Sequence, residues 1–434
     1  MDWGWNPSPL PPFFTDISTA ALSPDESTEK TRDSVILHSQ IVGNVLGHPD
    51  HEVRTLAFSL LVTSSSSTRP YSPAALALLR RHMSSFFAEP DAKFRNDVLS
   101  KARDMYRRVR GSICILKRSI PRVRAKAAKL ATPNHQLPTQ SQQPIFHKTK
   151  LIALPEAQLV ECLDDHERFL RWYIRFLLKQ LIPTAAYQRQ FASMKALLAI
   201  LKSEGREGKT WETTDDQVLF FDLFDGIWLK ALFDLTMNRF DDIRDLAATS
   251  LKIFYSDTRY RNFSLSGTRT EGSPGAELTD LSIRANELAR RTARADHSDG
   301  AARVAQLLYR FTTEEEHRRA FLEGLVQKLE QKMVRAEADL GRAVLDAPLH
   351  GDFAALCFTW QVVAEKKFSA TELEAMNSIQ DRLVKCCERV WDAVKSILCD
   401  DSPEGHLPQD LEDMAGLDTK DVLSYSFRSV HEAR

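Results

Sequence analysis

Two segments of this chain, each twelve residues long, align with each other without a gap. The first covers 50–61 and reads DHEVRTLAFSLL, and the second covers 240–251 and reads FDDIRDLAATSL. Acidic residues open both segments, which suits the positive end of a helix dipole. Apolar residues then fall at positions i, i+3, i+4 and i+8 and form one stripe along a helix. One helix pair cannot bury such a stripe alone, so the match predicts a stack of neighbouring pairs.

Helix breakers are scarce in the rest of the chain. Only 16 glycines and 19 prolines occur in 434 residues, and no stretch shows sustained two-residue alternation of apolar and polar residues. Both features favour long helices over short strands. We therefore predict an all-α fold, namely an α-α superhelix of HEAT- or armadillo-like helix pairs.

Composition divides this predicted array into five parts. Residues 1–32 are rich in Pro, Ser and Thr and are expected to form a disordered tail. Helical repeats that include one basic helix occupy 33–130, and a polar linker with two prolines follows at 131–154. HEAT-like repeats continue over 155–400. The last part, 401–434, is an acidic loop followed by an amphipathic segment.

The sequence carries no motif for catalysis or for a bound cofactor. It has no G-x-G turn, no G-x-S-x-G elbow and no H-E-x-x-H pair. The run Asp164, Asp165, His166 and Glu167 could suggest a metal site, but consecutive helical residues point in different directions, so we expect a solvated helix surface. The six cysteines form no C-x-x-C pair. We predict no catalytic, cofactor-binding or metal-binding residues.

Positive charge is concentrated in one helix, although the formal net charge of the chain is only −1. Residues 93–129 hold 13 Lys or Arg against two Asp, a local net charge of +11. Periodicity predicts that this helix buries Val98, Ala102, Met105, Val109, Ile113, Leu116 and Ile120. The opposite side then carries Arg103, Arg107, Arg110 and Lys117. Such a row of cations suits the phosphates of RNA; the alternative is a solvated face, or one paired with acids elsewhere.

Three segments resemble the THADA family, the thyroid-adenoma-associated-protein-like HEAT proteins. They are 180–189, 241–248 and 418–433, and the acidic run LEDM at 411–414 precedes the last of them. In fungi, members of this family serve as the non-catalytic partner of a tRNA 2′-O-ribose methyltransferase that acts in the anticodon loop. The resemblance implies a regulatory subunit that binds tRNA and the methyltransferase. Family members are far longer, so the chain is expected to be truncated at the start of the family's main block.

A second function remains open, that of a general HEAT-repeat scaffold or transport adaptor. Strongly salt-dependent tRNA binding would favour the regulatory subunit, and tight, weakly salt-dependent protein binding would favour the scaffold.

Two further expectations concern location and order. The most apolar stretch, 218–235, contains four charged residues, which exclude a membrane span and make a cytoplasmic protein the default. The segment from Asp418 is expected to be poorly ordered, because its apolar side has no later repeat to pack against.

Overall fold

The computed structural model describes residues 38–64, 66–131, 154–204, 225–256, 274–399 and 416–434. Every helix or strand element within these ranges is an α-helix, so the all-α prediction is confirmed. The predicted tail, most of the predicted linker and most of the acidic loop lie outside the described residues. Contacts divide the chain into two compact units, 1–223 and 224–434.

The first unit is organised around one long central helix. Its described helices are α1 Ser39–Leu46, α2 His51–Val62, α3 Pro73–Phe87, α4 Ala92–Ala131, α5 Glu156–Lys179 and α6 Tyr187–Glu204. Helix α4 contacts α2, α3, α5 and α6. Short polar caps set the helix starts: the Asp50 carboxylate accepts the N–H of Glu52 at 2.7 Å, and the Ser72 hydroxyl accepts that of Ala75 at 3.2 Å.

The second unit stacks nine described helices. They are α7 Gly226–Leu235, α8 Asp241–Ser256, α9 Pro274–Thr292, α10 Ala295–Phe311, α11 Glu315–Ala338, α12 Leu340–Asp346, α13 His350–Ala364, α14 Ala370–Leu398 and α15 Thr419–Ala433. Helix α10 contacts α8, α9, α11 and α13, and its apolar residues join those of its neighbours in the core. Each helix thus buries its stripe against adjacent helices, as the repeat pattern requires.

The arginine shared by the two matched segments closes the turn before its helix. In each case the guanidinium donates to a backbone carbonyl six residues earlier, a contact that we call the arginine bracket. Among the described residues it occurs four times: Arg54 with His48, Arg95 with Glu89, Arg244 with Asn238, and Arg318 with Thr312. The bracket gives a turn carbonyl a hydrogen-bond partner from a side chain.

The apolar stripes of the two matched segments are buried to different extents. The second segment buries all of its stripe residues, Ile243, Leu246, Ala247 and Leu251. In the first, Ala57 and Leu61 are buried but Leu56 is 70% exposed. The predicted stripe of α2 is therefore wrong at Leu56, because α2 turns Phe58 and Val62 inward in addition to Ala57 and Leu61.

Helix α15 is ordered, and the expectation for the segment from Asp418 is wrong. The Asp418 carboxylate caps the helix by accepting the N–H of Lys420 at 3.4 Å. Val422 and Tyr425 are buried, and the helix contacts α13 and α14. Two preceding helices therefore supply the packing partner, a non-local contact that periodicity alone does not show.

Gly300 of α10 lies against the turn that follows α7. A Cβ at this position would overlap the Thr236 carbonyl oxygen. We expect Gly300→Ala to lower the free energy of unfolding by about 2 kcal/mol. The matched control is Gly324→Ala in α11, where a Cβ meets no atom within 4 Å and the lost chain entropy of glycine gives a gain of about 0.5–1 kcal/mol. Urea unfolding measures both, and equal effects would contradict this account.

The buried His350 makes stability depend on pH. Burial, with Arg428 and Lys332 nearby, lowers the pKa of His350 to about 4, although Asp352 opposes this. In the unfolded chain its pKa is about 6.5, so the unfolded state takes up the proton first as the pH falls. As the pH falls from 6.5 to 4, His350 should therefore lower the free energy of unfolding by about 1.4 kcal/mol per pH unit.

We expect His350→Gln to lose less stability than the parent chain between pH 7 and pH 5. Unfolding in urea at the two pH values measures the difference. An identical loss in both proteins would exclude His350 as its source.

Candidate nucleic-acid interface

The cations of the predicted basic helix lie on α4. Its start is fixed by Asp91, whose carboxylate accepts the N–H groups of Lys93 at 2.8 Å and Phe94 at 3.1 Å. All seven residues of the predicted apolar stripe are buried, which confirms the stripe. Between 108 and 114, however, α4 is buried on every side. A Cβ on Gly111 would lie 2.5 Å from the Ser67 carbonyl oxygen, so the close packing there requires glycine.

The four cations predicted to share one solvated side have three different environments. Arg103 and Arg107 are exposed. Lys117 is part-buried, and its Nζ lies 3.2 Å from Glu167 Oε1 on α5. Arg110 has no exposed surface. The structure therefore places only Arg103, Arg107 and Lys117 where a ligand can reach them.

Arg110 forms a buried ion pair with the last residue of α6. Its Nε donates to Glu204 Oε1 at 2.7 Å and its Nη2 to Glu204 Oε2 at 3.1 Å. The Tyr106 hydroxyl donates to the same Oε1 at 2.5 Å. Periodicity put Arg110 beside Arg103 because seven residues make two turns, but it does not show that α6 covers this part of α4. The prediction that Arg110 faces RNA is wrong.

Further cations on the last turns of α4 were missed by the sequence analysis. Arg118 and Arg122 are exposed, and in the described part of the chain no carboxylate lies within ion-pair distance of either. The signal was present in their four-residue spacing, which keeps them on one side of the helix. We call Arg103, Arg107, Lys117, Arg118 and Arg122 the α4 basic surface.

His166 is buried, which corrects the expectation that 164–167 form a solvated surface. Its Nε2 accepts the N–H of Tyr71 at 2.9 Å, and its Nδ1 lies 2.7 Å from the Cys162 carbonyl oxygen. Burial lowers the pKa of His166, in agreement with a neutral ring that donates from Nδ1 and accepts at Nε2. Its role is to join α5 to the segment before α3.

Clustered metal ligands and membrane-spanning helices are both absent from the described ranges. No group of three His, Cys, Asp or Glu side chains there could hold a metal ion. None of the helices described is both long enough and apolar enough to cross a membrane.

Comparisons with known proteins match the chain to two family models and to a curated relative. The model of the Trm732 TPR repeats matches residues 20–245, and the THADA/TRM732 model DUF2428 matches 378–434. The tRNA (32-2′-O)-methyltransferase regulator trm732 of Schizosaccharomyces pombe is 25% identical over 425 residues, which are 95% of this chain. The chain spans only 25% of that regulator's length. No solved structure matches.

Proposed function

The chain belongs to the THADA/Trm732 family, and on that premise we propose that it is a non-catalytic regulatory subunit, or part of one, of a tRNA 2′-O-ribose methyltransferase. The observation that carries the proposal is the match to a tRNA (32-2′-O)-methyltransferase regulator along 95% of the chain. In this role the protein is cytoplasmic, binds both the methyltransferase and tRNA, and assists methylation in the anticodon loop.

The α4 basic surface supports the tRNA-binding part of the proposal. Arg107, Arg118 and Arg122 are exposed, and no carboxylate of the described residues neutralises them. Arg103 has Asp104 at 3.6 Å, an exposed pair that contributes little. Phosphate contacts carry affinity and position the nucleic acid, so this surface would hold tRNA while the partner methyltransferase performs the reaction.

Reconstitution tests the regulatory role. The methyltransferase of the same organism is incubated with a tRNA transcript and methyl donor, with and without this chain. We expect 2′-O-methylation in the anticodon loop, read by mass spectrometry of nuclease fragments, to rise only when both proteins are present. If the amount of methylation is the same with and without the chain, or if the chain methylates tRNA alone, the proposal is rejected.

Charge reversal tests the tRNA contact. The triple variant Arg107→Glu, Arg118→Glu and Arg122→Glu should bind tRNA more weakly at low salt. It should also reduce the slope of log affinity against log salt by about 2–3 if all three residues contact phosphates. A control with the same charge change, Arg284→Glu, Arg291→Glu and Arg319→Glu on exposed positions of the second unit, should change neither.

If the triple variant is folded and binds tRNA with the affinity and salt slope of the parent chain, the α4 basic surface is only a solvated face. Tight binding to a protein with little salt dependence would then favour the scaffold function.

A further inference from the structure

A groove of about 650 Å³ lies between α3 and α5 in the first unit. Its lining includes five cations, Arg80 from α3 and Arg168, Arg171, Arg175 and Lys179 from α5. Trp172 and Phe176 supply its aromatic part, and none of the described lining residues is acidic. Cations gathered in a concave surface raise the local positive potential and attract an anionic ligand.

The cations of α5 form one row because they follow the helix period. Arg168, Arg171, Arg175 and Lys179 stand at i, i+3, i+7 and i+11, so they share a face. From the first to the last, the row extends about 16 Å along the helix. That length matches an extended polyanion with several phosphates better than a single small anion.

Most of this charge is not neutralised within the protein. Arg168 pairs with Asp165 at 2.7 Å and Arg171 with Glu167 at 3.6 Å, but their side chains are 66% and 49% exposed, so these pairs are weak. Among the described residues, no carboxylate lies within ion-pair distance of Arg80, Arg175 or Lys179. The groove therefore holds an excess of positive charge that a ligand can use.

Trp172 gives the groove a second means of recognition. Its ring stacks on Phe176, with centroids 5.4 Å apart and an interplanar angle of 24°. The Arg80 guanidinium lies over the same ring, 5.4 Å from the centroid. Aromatic rings and guanidinium planes are the surfaces on which unpaired bases stack. A glutamate-rich peptide has no planar base to stack on these groups, and duplex RNA keeps its bases stacked inside the helix.

The groove also adjoins the α4 basic surface. Glu167 lies between them, with Oε1 3.2 Å from Lys117 of α4 and Oε2 3.6 Å from Arg171 of the groove. A nucleic acid held on α4 can therefore reach the groove with a neighbouring part of its chain.

We infer that the groove between α3 and α5 binds a single-stranded segment of RNA, with its phosphates on the cation row and a base stacked at Trp172 and Arg80. The inference rests on the proposed function for the identity of the natural RNA, which would be an unpaired loop of tRNA.

Fluorescence anisotropy with the full chain and a labelled uridine octanucleotide tests the inference. Arg175→Glu with Lys179→Glu should weaken binding at least tenfold at low salt and reduce the salt slope by about 1.4. Trp172→Ala should weaken binding by on the order of tenfold without changing the salt slope. Trp172→Phe should keep most of the affinity. The control Arg284→Glu with Arg291→Glu should bind like the parent chain.

Two results would overturn the inference: groove variants that fold and bind the octanucleotide like the parent chain, or groove variants that lose as much affinity for a glutamate-rich peptide or for duplex RNA as they lose for the octanucleotide. Failure of the proposed function looks different. In that case the octanucleotide still binds in the groove, but the chain does not support tRNA methylation. Conversely, if tRNA binding depends on α4 alone, the function stands and the groove inference fails.

Discussion

Arg110→Ala is expected to lower the free energy of unfolding by about 3–5 kcal/mol. The substitution removes the guanidinium that pairs with both carboxylate oxygens of Glu204. Glu204 is almost fully buried, so its charge would remain in a medium of low polarity without the guanidinium that pairs with it. An uncompensated buried charge is among the largest single penalties in a folded protein.

The matched control is Arg107→Ala, one turn earlier on the same helix and exposed, with an expected change within about 0.5 kcal/mol. The double variant Arg110→Met with Glu204→Leu should cost less than Arg110→Ala alone, because it removes both charges together. Urea unfolding of all three proteins measures these differences. If Arg110→Ala is no more costly than Arg107→Ala, the buried pair does not stabilise the first unit.

In the second unit, Asp299→Ala is expected to lower the free energy of unfolding by about 3 kcal/mol. The Asp299 carboxylate accepts hydrogen bonds from Nε of Arg244 at 2.5 Å and from Nε of Arg303 at 2.9 Å. Both arginines are buried. Burial alone would lower the pKa of Arg303, but Asp299 and two further carboxylates together raise it. Asp299 thus joins α8 to α10 through two desolvated guanidinium groups.

Asp245→Ala is the control for this network. Asp245 also pairs with Arg303, at 2.9 Å, but its side chain is 62% exposed, so we expect a loss of less than about 1 kcal/mol. Thermal or urea unfolding compares the two variants. A loss at Asp245 equal to that at Asp299 would contradict the distinction between a part-buried partner, 24% exposed, and a largely exposed one.

Local periodicity is sufficient to predict the side of a helix that faces the core, but not which element covers its other side. It places all seven stripe residues of α4 correctly, from Val98 to Ile120. It fails at Arg110 because coverage by α6 is a contact 94 residues away in sequence. The prediction that His166 is solvated is wrong for the same reason, because its partner Tyr71 lies 95 residues earlier.

The groove between α3 and α5 shows a different limit. The spacing of Arg168, Arg171, Arg175 and Lys179, interleaved with aromatic residues, is visible in the sequence. Arg80 is the part that no local pattern supplies, because only packing brings α3 against α5. A basic row on one helix becomes a candidate site when a second helix closes its side.

The arginine bracket fixes the number of residues between a turn and the first arginine of the helix that follows it. In every bracket the carbonyl lies six residues before the arginine, as between His48 and Arg54 or Asn238 and Arg244, and Arg54 and Arg95 each reach the next carbonyl as well. One inserted or deleted residue in such a window would rotate the guanidinium about 100° around its helix and away from the carbonyl. Changes of chain length during the divergence of this family should therefore accumulate outside these windows. The four windows can serve as gap-free anchors when distant members are aligned.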